Sequence, residues 1–288
     1  MNDEEKVFSF APEEVYEDNR NRTTIFFQVL GRKFWKLIQF NLIYLILNIP
    51  AIIISYFLSG YLINSLSLSA ETPDQIIAFF LVYGFPPMIL LMAIPVIAVG
   101  PVQAGLSYLL RCFSYELPTF YWSDFKDKIK ENYKQGLIVS IINLAAFIFL
   151  LIDFHLYSQL SNNGNSMLLA AANGLLILIL ILFIMMCMYI YPMMVAYDLK
   201  IRHLYKNAFL FSMGRFLPNI AVLLICILLI TAPLLIVVFT GNIMVLSAIY
   251  IYYILLGFTL PGLVINFFIN PVIDKYLKAA PSQENSKK

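Results

Sequence analysis

Apolar residues fill six long runs along this chain, at roughly 37–64, 76–110, 136–156, 167–197, 218–240 and 243–268, and polar or charged residues fill the gaps. About 20 helical residues at 1.5 Å each cross a 30 Å hydrocarbon core, so every run predicts a membrane-spanning helix. The second run is longer than one span needs. Phe85-Pro86-Pro87 interrupts it, because each proline removes a backbone donor and clashes one turn back. The reading is therefore an outer-surface helix at 76–85 and then a span from about 87 to 110. The fourth run is also long, and its first turn or two, Ser166 to Ala172, is expected to project outside.

Three of the gaps have a helical period of their own. From Asn21 to Phe40, Phe26, Leu30, Phe34 and Leu37/Ile38 recur at helical spacing, with Arg22, Arg32, Lys33 and Lys36 beside them. That pattern predicts an amphipathic helix on the membrane surface that feeds the first span. In the connector from Gly100 to Gly136, Trp122, Phe125, Ile129 and Tyr133 share one helical face, and Lys126, Lys130 and Lys134 form the neighbouring row. A helix over about 119–134 is expected, starting at Pro118-Thr119, with the aromatic face in the acyl boundary and Asp124 paired with Lys128. A third helix, about 198–213, places Ile201, Leu204/Tyr205, Ala208 and Phe211 on one side and Lys200, Arg202, His203 and Lys206 around the other.

Charge fixes the orientation. All 19 Lys and Arg fall before the first run, between the second and third, between the fourth and fifth, or after the sixth. The remaining gaps have none, which under the positive-inside rule puts both termini in the cytoplasm. Splitting the second run into two spans would destroy this segregation. The fold class is thus all-α: a polytopic membrane helical bundle of six transmembrane helices with interfacial amphipathic helices on the cytoplasmic side. Residues 1–36 form a cytoplasmic segment with an interfacial helix, 37–268 the membrane domain and 269–288 a cytoplasmic tail. Composition agrees, with 61% hydrophobic and 12% charged residues, against roughly 45–50% and 25% in soluble domains. A net charge of +2 is too small to point to nucleic acid. The first 18 residues are acidic and lack the basic start and short apolar core of a secretory signal.

The chemistry-bearing residues are sparse. Cys112, Cys187 and Cys226 fit neither a disulfide framework nor a zinc site and read as buried small hydrophobes. Inside the six runs the one Asp, Glu, Lys or Arg is Asp153, near an outer boundary and two residues from His155, which faces another direction on a helix. Pumps and proton-coupled carriers place such groups mid-membrane, so no catalytic, cofactor or metal site is expected. Pro50, Pro95, Gly100-Pro101 and Pro192 are candidate kinks or gates. A membrane proline frees the carbonyl four residues back, Ile46 for Pro50 and Ile97 for Pro101. The amides and hydroxyls of Gln39, Asn41, Asn48, Gln103, Ser107, Asn143 and Asn266 either join helices or line a small uncharged cavity.

Several motifs occur in a recognisable order. Gly100-Pro101, Leu109-Leu110-Arg111, Trp122-Ser123-Asp124-Phe125 and Glu131-Asn132-Tyr133-Lys134-Gln135 come first. Tyr191-Pro192-Met193-Met194-Val195-Ala196-Tyr197-Asp198 and Leu204-Tyr205-Lys206-Asn207-Ala208 follow. Over roughly 95–275 the chain resembles the YesL family, uncharacterised polytopic membrane proteins of Gram-positive bacteria. The resemblance implies a bacterial plasma-membrane protein linked to carbohydrate uptake or sensing. The expected role is non-enzymatic: an accessory or regulatory component beside a sugar importer or sensor kinase. The candidate surface for a partner or for lipid is Trp122, Phe125, Lys126, Ile129, Lys130, Tyr133 and Lys134 with Lys200, Arg202 and Lys206. The alternative is a transporter for a neutral small solute.

Overall fold

The computed structural model describes residues 21–65, 93–162, 167–240 and 243–277. These residues form an all-helical membrane bundle. In chain order the helices are α1 (Arg22–Leu47), α2 (Ile49–Ser65), α3 (Gly100–Ser114), α4 (Tyr121–Glu131), α5 (Tyr133–Asn162), α6 (Met167–Ala196), α7 (Ile201–Gly214), α8 (Phe216–Thr240), α9 (Ile243–Leu256) and α10 (Thr259–Leu277). The expected outer helix at 76–85, the first residues of the span from 87, the acidic 1–18 stretch, Ser166 and the tail from 278 lie outside the described residues.

Three helices, α5, α6 and α8, are each long and apolar enough to cross a membrane alone. Two further spans are available if bent pairs are counted: α1 with α2, bent by 73°, and α9 with α10, bent by 49°. The outward faces of these helices carry large apolar side chains, among them Ile141, Phe149 and Ile152 on α5 and Leu224, Ile225 and Leu228 on α8. An apolar surface of that extent is unsuited to water and suited to hydrocarbon.

The helix at the centre is α3, nearly every residue of which is buried. It packs against α1, α4, α5, α6 and α10. Its start explains its position. Pro101 occupies the first turn, where a missing N–H costs nothing, and Gly100 lies directly on Gly136 of α5. A Cβ at Gly100 would stand 1.8 Å from the Gly136 carbonyl oxygen, so only glycine permits this crossing. The connector therefore ends where it began, its two glycines in backbone contact. The expected span from 87 to 110 is not one regular helix over its described part. Residues 93–99 are non-helical for the most part yet buried, and the α-helix begins at Gly100. At 1.5 Å per residue α3 is about 22 Å long, too short to cross a 30 Å core unaided.

Buried amides hold the two bends. Asn48 occupies the break between α1 and α2; its Nδ2 donates to the Tyr44 carbonyl (2.9 Å) and its Oδ1 accepts from the Val99 N–H (2.7 Å). Asn41 serves the bend between α9 and α10, where Oδ1 accepts from the N–H groups of Phe258 and Thr259, both at 2.9 Å. Its Nδ2 donates to the Ile254 carbonyl at 2.7 Å. Each bend frees backbone groups that must find partners away from water, and one asparagine supplies them at each place. The expected handover near residue 36 from surface helix to span does not appear as a break, because α1 runs on to Leu47. Likewise the boundary drawn at 268 falls inside α10, which stays buried as far as Asp274.

Candidate functional site

The connector helix α4 is organised by its own side chains. Asp124 Oδ2 accepts from the Phe120 N–H at 3.0 Å and holds the first turn, and Ser123 Oγ donates to Asp127 at 3.2 Å. Asp124 is thus used as a cap, and the expected Asp124–Lys128 pair is replaced by Lys128–Glu131 at 2.6 Å. Spacings of three and four residues both bring side chains together on a helix, and the backbone N–H at the helix start decided which pair formed.

The aromatic face of α4 does not lie in lipid as expected. Phe125 is 2% exposed. Its ring packs against Phe40 of α1 (5.5 Å between centroids) and over Gly105 of α3, where a Cβ would meet the Phe125 and Ile129 side chains at about 3 Å. Gly105 leaves a slot that protein fills before lipid can. Trp122 lies parallel to Phe125 at 6.1 Å with half of its surface open, and Tyr133, past the end of α4, is exposed. Of the predicted face, then, Phe125 and Ile129 dock the helix while Trp122 and Tyr133 remain outside.

The basic row is where the period puts it. Lys126, Lys130 and Lys134 are exposed, with the Lys126 ammonium 4.9 Å from the centre of the Trp122 ring. On α7, Leu204 and Ala208 are buried and Lys200, Arg202 and Lys206 point outward. Gln135, one residue past Lys134, donates through Nε2 to the carbonyl of Leu199, one residue before Lys200, at 2.6 Å. Tyr205 of α7 donates to Asn143 Oδ1 of α5 at 2.7 Å. The two basic segments are thereby joined at their near ends.

The candidate gate residues have other duties. Pro50 stands in the first turn of α2 and Pro101 in the first turn of α3, so neither kinks a continuing helix, and no mid-helix carbonyl is freed at Ile46 or Ile97 in the way expected. Pro95 falls in the irregular stretch before α3. Pro192 alone of the four prolines lies inside a long helix, buried in the last turns of α6. Proline at the first helical position and proline in mid-span look alike in sequence, and only the backbone distinguishes them.

One cluster lies outside the predicted set. Arg111, at the end of α3, makes a two-pronged contact with Asp274 of α10, its Nη2 lying 2.7 and 2.9 Å from the two carboxylate oxygens. Its Nη1 donates to Asn270 Oδ1 at 3.1 Å. Asp274 also accepts from Tyr115 (2.6 Å) and from Tyr197, just past α6 (2.8 Å). The Arg111 and Asp274 side chains are only 15% and 11% exposed. Burial first, then the hydrogen bond to Asp274, raises both tyrosine hydroxyls above the ordinary tyrosine range, so each stays protonated and keeps donating. Arg22 closes the cluster from α1: its guanidinium lies 4.6 Å from the centre of the Phe267 ring and donates to the Phe267 carbonyl at 2.9 Å. Three segments, α3 with the residue that follows it, α10 and the end of α6, thus meet at one carboxylate, and α1 packs beside them through Arg22. In sequence Arg111 stands among the cations between the second and third runs and Asp274 in the stretch read as a tail, and no local spacing links them.

The remaining polar residues of the interior are uncharged. Tyr44 donates to Gln103 at 2.7 Å, while Ser107 Oγ, Asn143 Nδ2 and Tyr191 Oη are buried without a protein partner. All three cysteines are free and buried. Compared with known protein families, with curated proteins and with solved structures, the chain matches none.

Proposed function

We propose that this is a YesL-like, non-enzymatic integral membrane protein of the bacterial plasma membrane, an accessory or regulatory component of carbohydrate uptake or sensing. The observation that supports it is the outward basic face of α4 and α7. Lys126, Lys130, Lys134, Lys200, Arg202 and Lys206 are exposed, and the Gln135–Leu199 bond holds their two segments together. In this reading the chain crosses the membrane six times with both termini in the cytoplasm, and the face meets an acidic cytoplasmic surface of a sugar importer or sensor-kinase subunit. Topology is checked with introduced cysteines and an impermeant thiol reagent on intact cells: Asn163→Cys labels and Lys128→Cys does not. Labelling at Lys128 rejects the six-span arrangement. The partner is tested by purification from native membranes. A sugar-system subunit comes down with the wild type and is lost when Lys126, Lys130 and Lys134 are changed together to Gln. Unchanged recovery rejects the basic face as the docking site.

A second reading, a carrier for a neutral solute, draws on the buried, unpartnered polar atoms of Ser107, Asn143 and Tyr191. Buried groups of that kind call for water or ligand. Flux of a neutral solute in proteoliposomes, undiminished by a proton uncoupler, favours this reading over the first.

A further inference from the structure

Between α1 and α4 runs an open groove of about 720 Å³, within the range of roughly 300–1,000 Å³ typical of ligand sites. Its two ends differ in chemistry. Along α1 the lining runs from Lys36, whose Nζ donates to Gln39 Oε1 at 3.2 Å beside Tyr121 of α4, to Leu42 and Ile43. Lys36 and Ile43 are seven residues apart, so the change from cationic to apolar takes about 10 Å along the helix. The cationic end is built: Lys33 Nζ donates to the Tyr121 hydroxyl at 2.7 Å, and the Lys36 ammonium lies 5.2 Å from the centre of the same ring. Among the described residues no acid lines the groove. The nearest carboxylates on α4 are already engaged, Asp124 by the Phe120 N–H and Asp127 by Ser123. At the rim, Phe120 and Trp122 are 84% and 50% exposed, the kind of aromatic residues that collect at a membrane interface.

We infer that this groove holds one anionic phospholipid, its phosphate on Lys36 and an acyl chain along Leu42 and Ile43. The order of the two ends is that of a lipid entering from the bilayer, phosphate at the surface and chain toward the core. A soluble phosphate compound would leave the apolar end empty, and an ordinary boundary lipid would make no use of the lysine. The inference needs only the membrane setting of these helices and does not depend on a sugar-system partner.

The test uses the two tryptophans of the chain, Trp35 and Trp122. In Trp35→Phe the groove residue Trp122 is the sole indole. The full chain is reconstituted in vesicles containing either brominated phosphatidylglycerol or brominated phosphatidylcholine, and quenching of Trp122 is titrated against the bromolipid fraction. The expected result is several-fold stronger relative binding of the anionic lipid. Lys36→Gln reduces that preference about fivefold, the effect of one lysine at an anionic surface. Lys206→Gln on α7 leaves it unchanged. Equal quenching of the wild type in the brominated phosphatidylcholine vesicles and in those of Lys36→Gln confirms that the variant keeps its fold. Three outcomes overturn the proposal. Equal quenching by the two bromolipids in the wild type makes the groove ordinary lipid boundary. A Lys206→Gln effect as large as that of Lys36→Gln makes it a general charge effect. A rise in quenching by both lipids on removing residues 1–20 assigns the groove to that segment of the chain.

Discussion

Arg111, in the last turn of α3, and the row Lys126, Lys130, Lys134, on and just past α4, belong to one connector, yet their cations are used in opposite ways. Arg111 is enclosed and fully partnered by Asp274 and Asn270. The three lysines face outward, and of them Lys126 has a recorded neighbour in the Trp122 ring. A charge that leaves water must be matched group for group, so the Arg111 site dictates where α3, α10 and the end of α6 stand. A charge that stays in water dictates nothing about the fold and is free to recognise something else. Residues of one sign, on one side of the bundle, thus divide into those that build it and those that present it.

The sharpest way to break this division is at the carboxylate. Asp274→Ala strands Arg111 and two tyrosine hydroxyls, and the expected cost is about 3–5 kcal/mol, read as a lower midpoint in thermal or denaturant unfolding of the purified protein. Adding Arg111→Met recovers part of the loss, since no unpaired cation then remains. If the double variant is as unstable as the single, the pair is not the organising contact. Next comes the aromatic anchor. Phe125→Ala opens the space between Phe40 and Gly105 and is expected to cost about 3 kcal/mol, with α4 becoming accessible to protease. A protease-resistant variant would show that α4 is held by its lysines instead.

The neutral counterpart is smaller again. Asn41→Ala leaves the N–H groups of Phe258 and Thr259 without their acceptor, a loss of about 1–3 kcal/mol, visible as faster amide exchange at the α9–α10 bend. The smallest effect belongs to the exposed row. Changing Lys126, Lys130 and Lys134 together to Gln is expected to move stability by no more than about 0.5 kcal/mol. A larger shift would mean that these lysines build the fold as Arg111 does.

The same division separates what could be read from the chain from what could not. The helical period of Trp122, Phe125, Ile129 and Tyr133 and that of Leu204, Ala208 and Phe211 placed α4 and α7 close to their observed bounds, because amphipathic spacing is a local property. What the apolar face of α4 packs against was not legible: hydrocarbon and a glycine-lined protein slot impose one and the same pattern. Asn41 and Arg111 act on residues 217 and 163 positions away, and no window of sequence contains both partners. Asp274 is followed by Lys275 and Lys278 and so resembles the opening of a solvated tail, although its side chain is enclosed. Pro50 and Pro101 stand at helix starts and Pro95 in an irregular stretch, whereas Pro192 lies within α6, and the sequence does not tell these cases apart.

The long separation of Arg111 and Asp274 has a bearing on how the protein is made. The connector from Gly100 to Gly136 is complete, glycine on glycine, once α5 begins to emerge from the ribosome, and by then Arg111 has neither Asn270 nor Asp274 to bind. That guanidinium stays uncompensated through the synthesis of α6, α7, α8 and α9, and is neutralised only when α10 arrives. Helix α10, made well after the connector, therefore certifies the first half of the chain. A nascent protein stopped after Leu256 carries an exposed mark of incompleteness, one that pulse-chase measurement should register as rapid turnover relative to the finished chain.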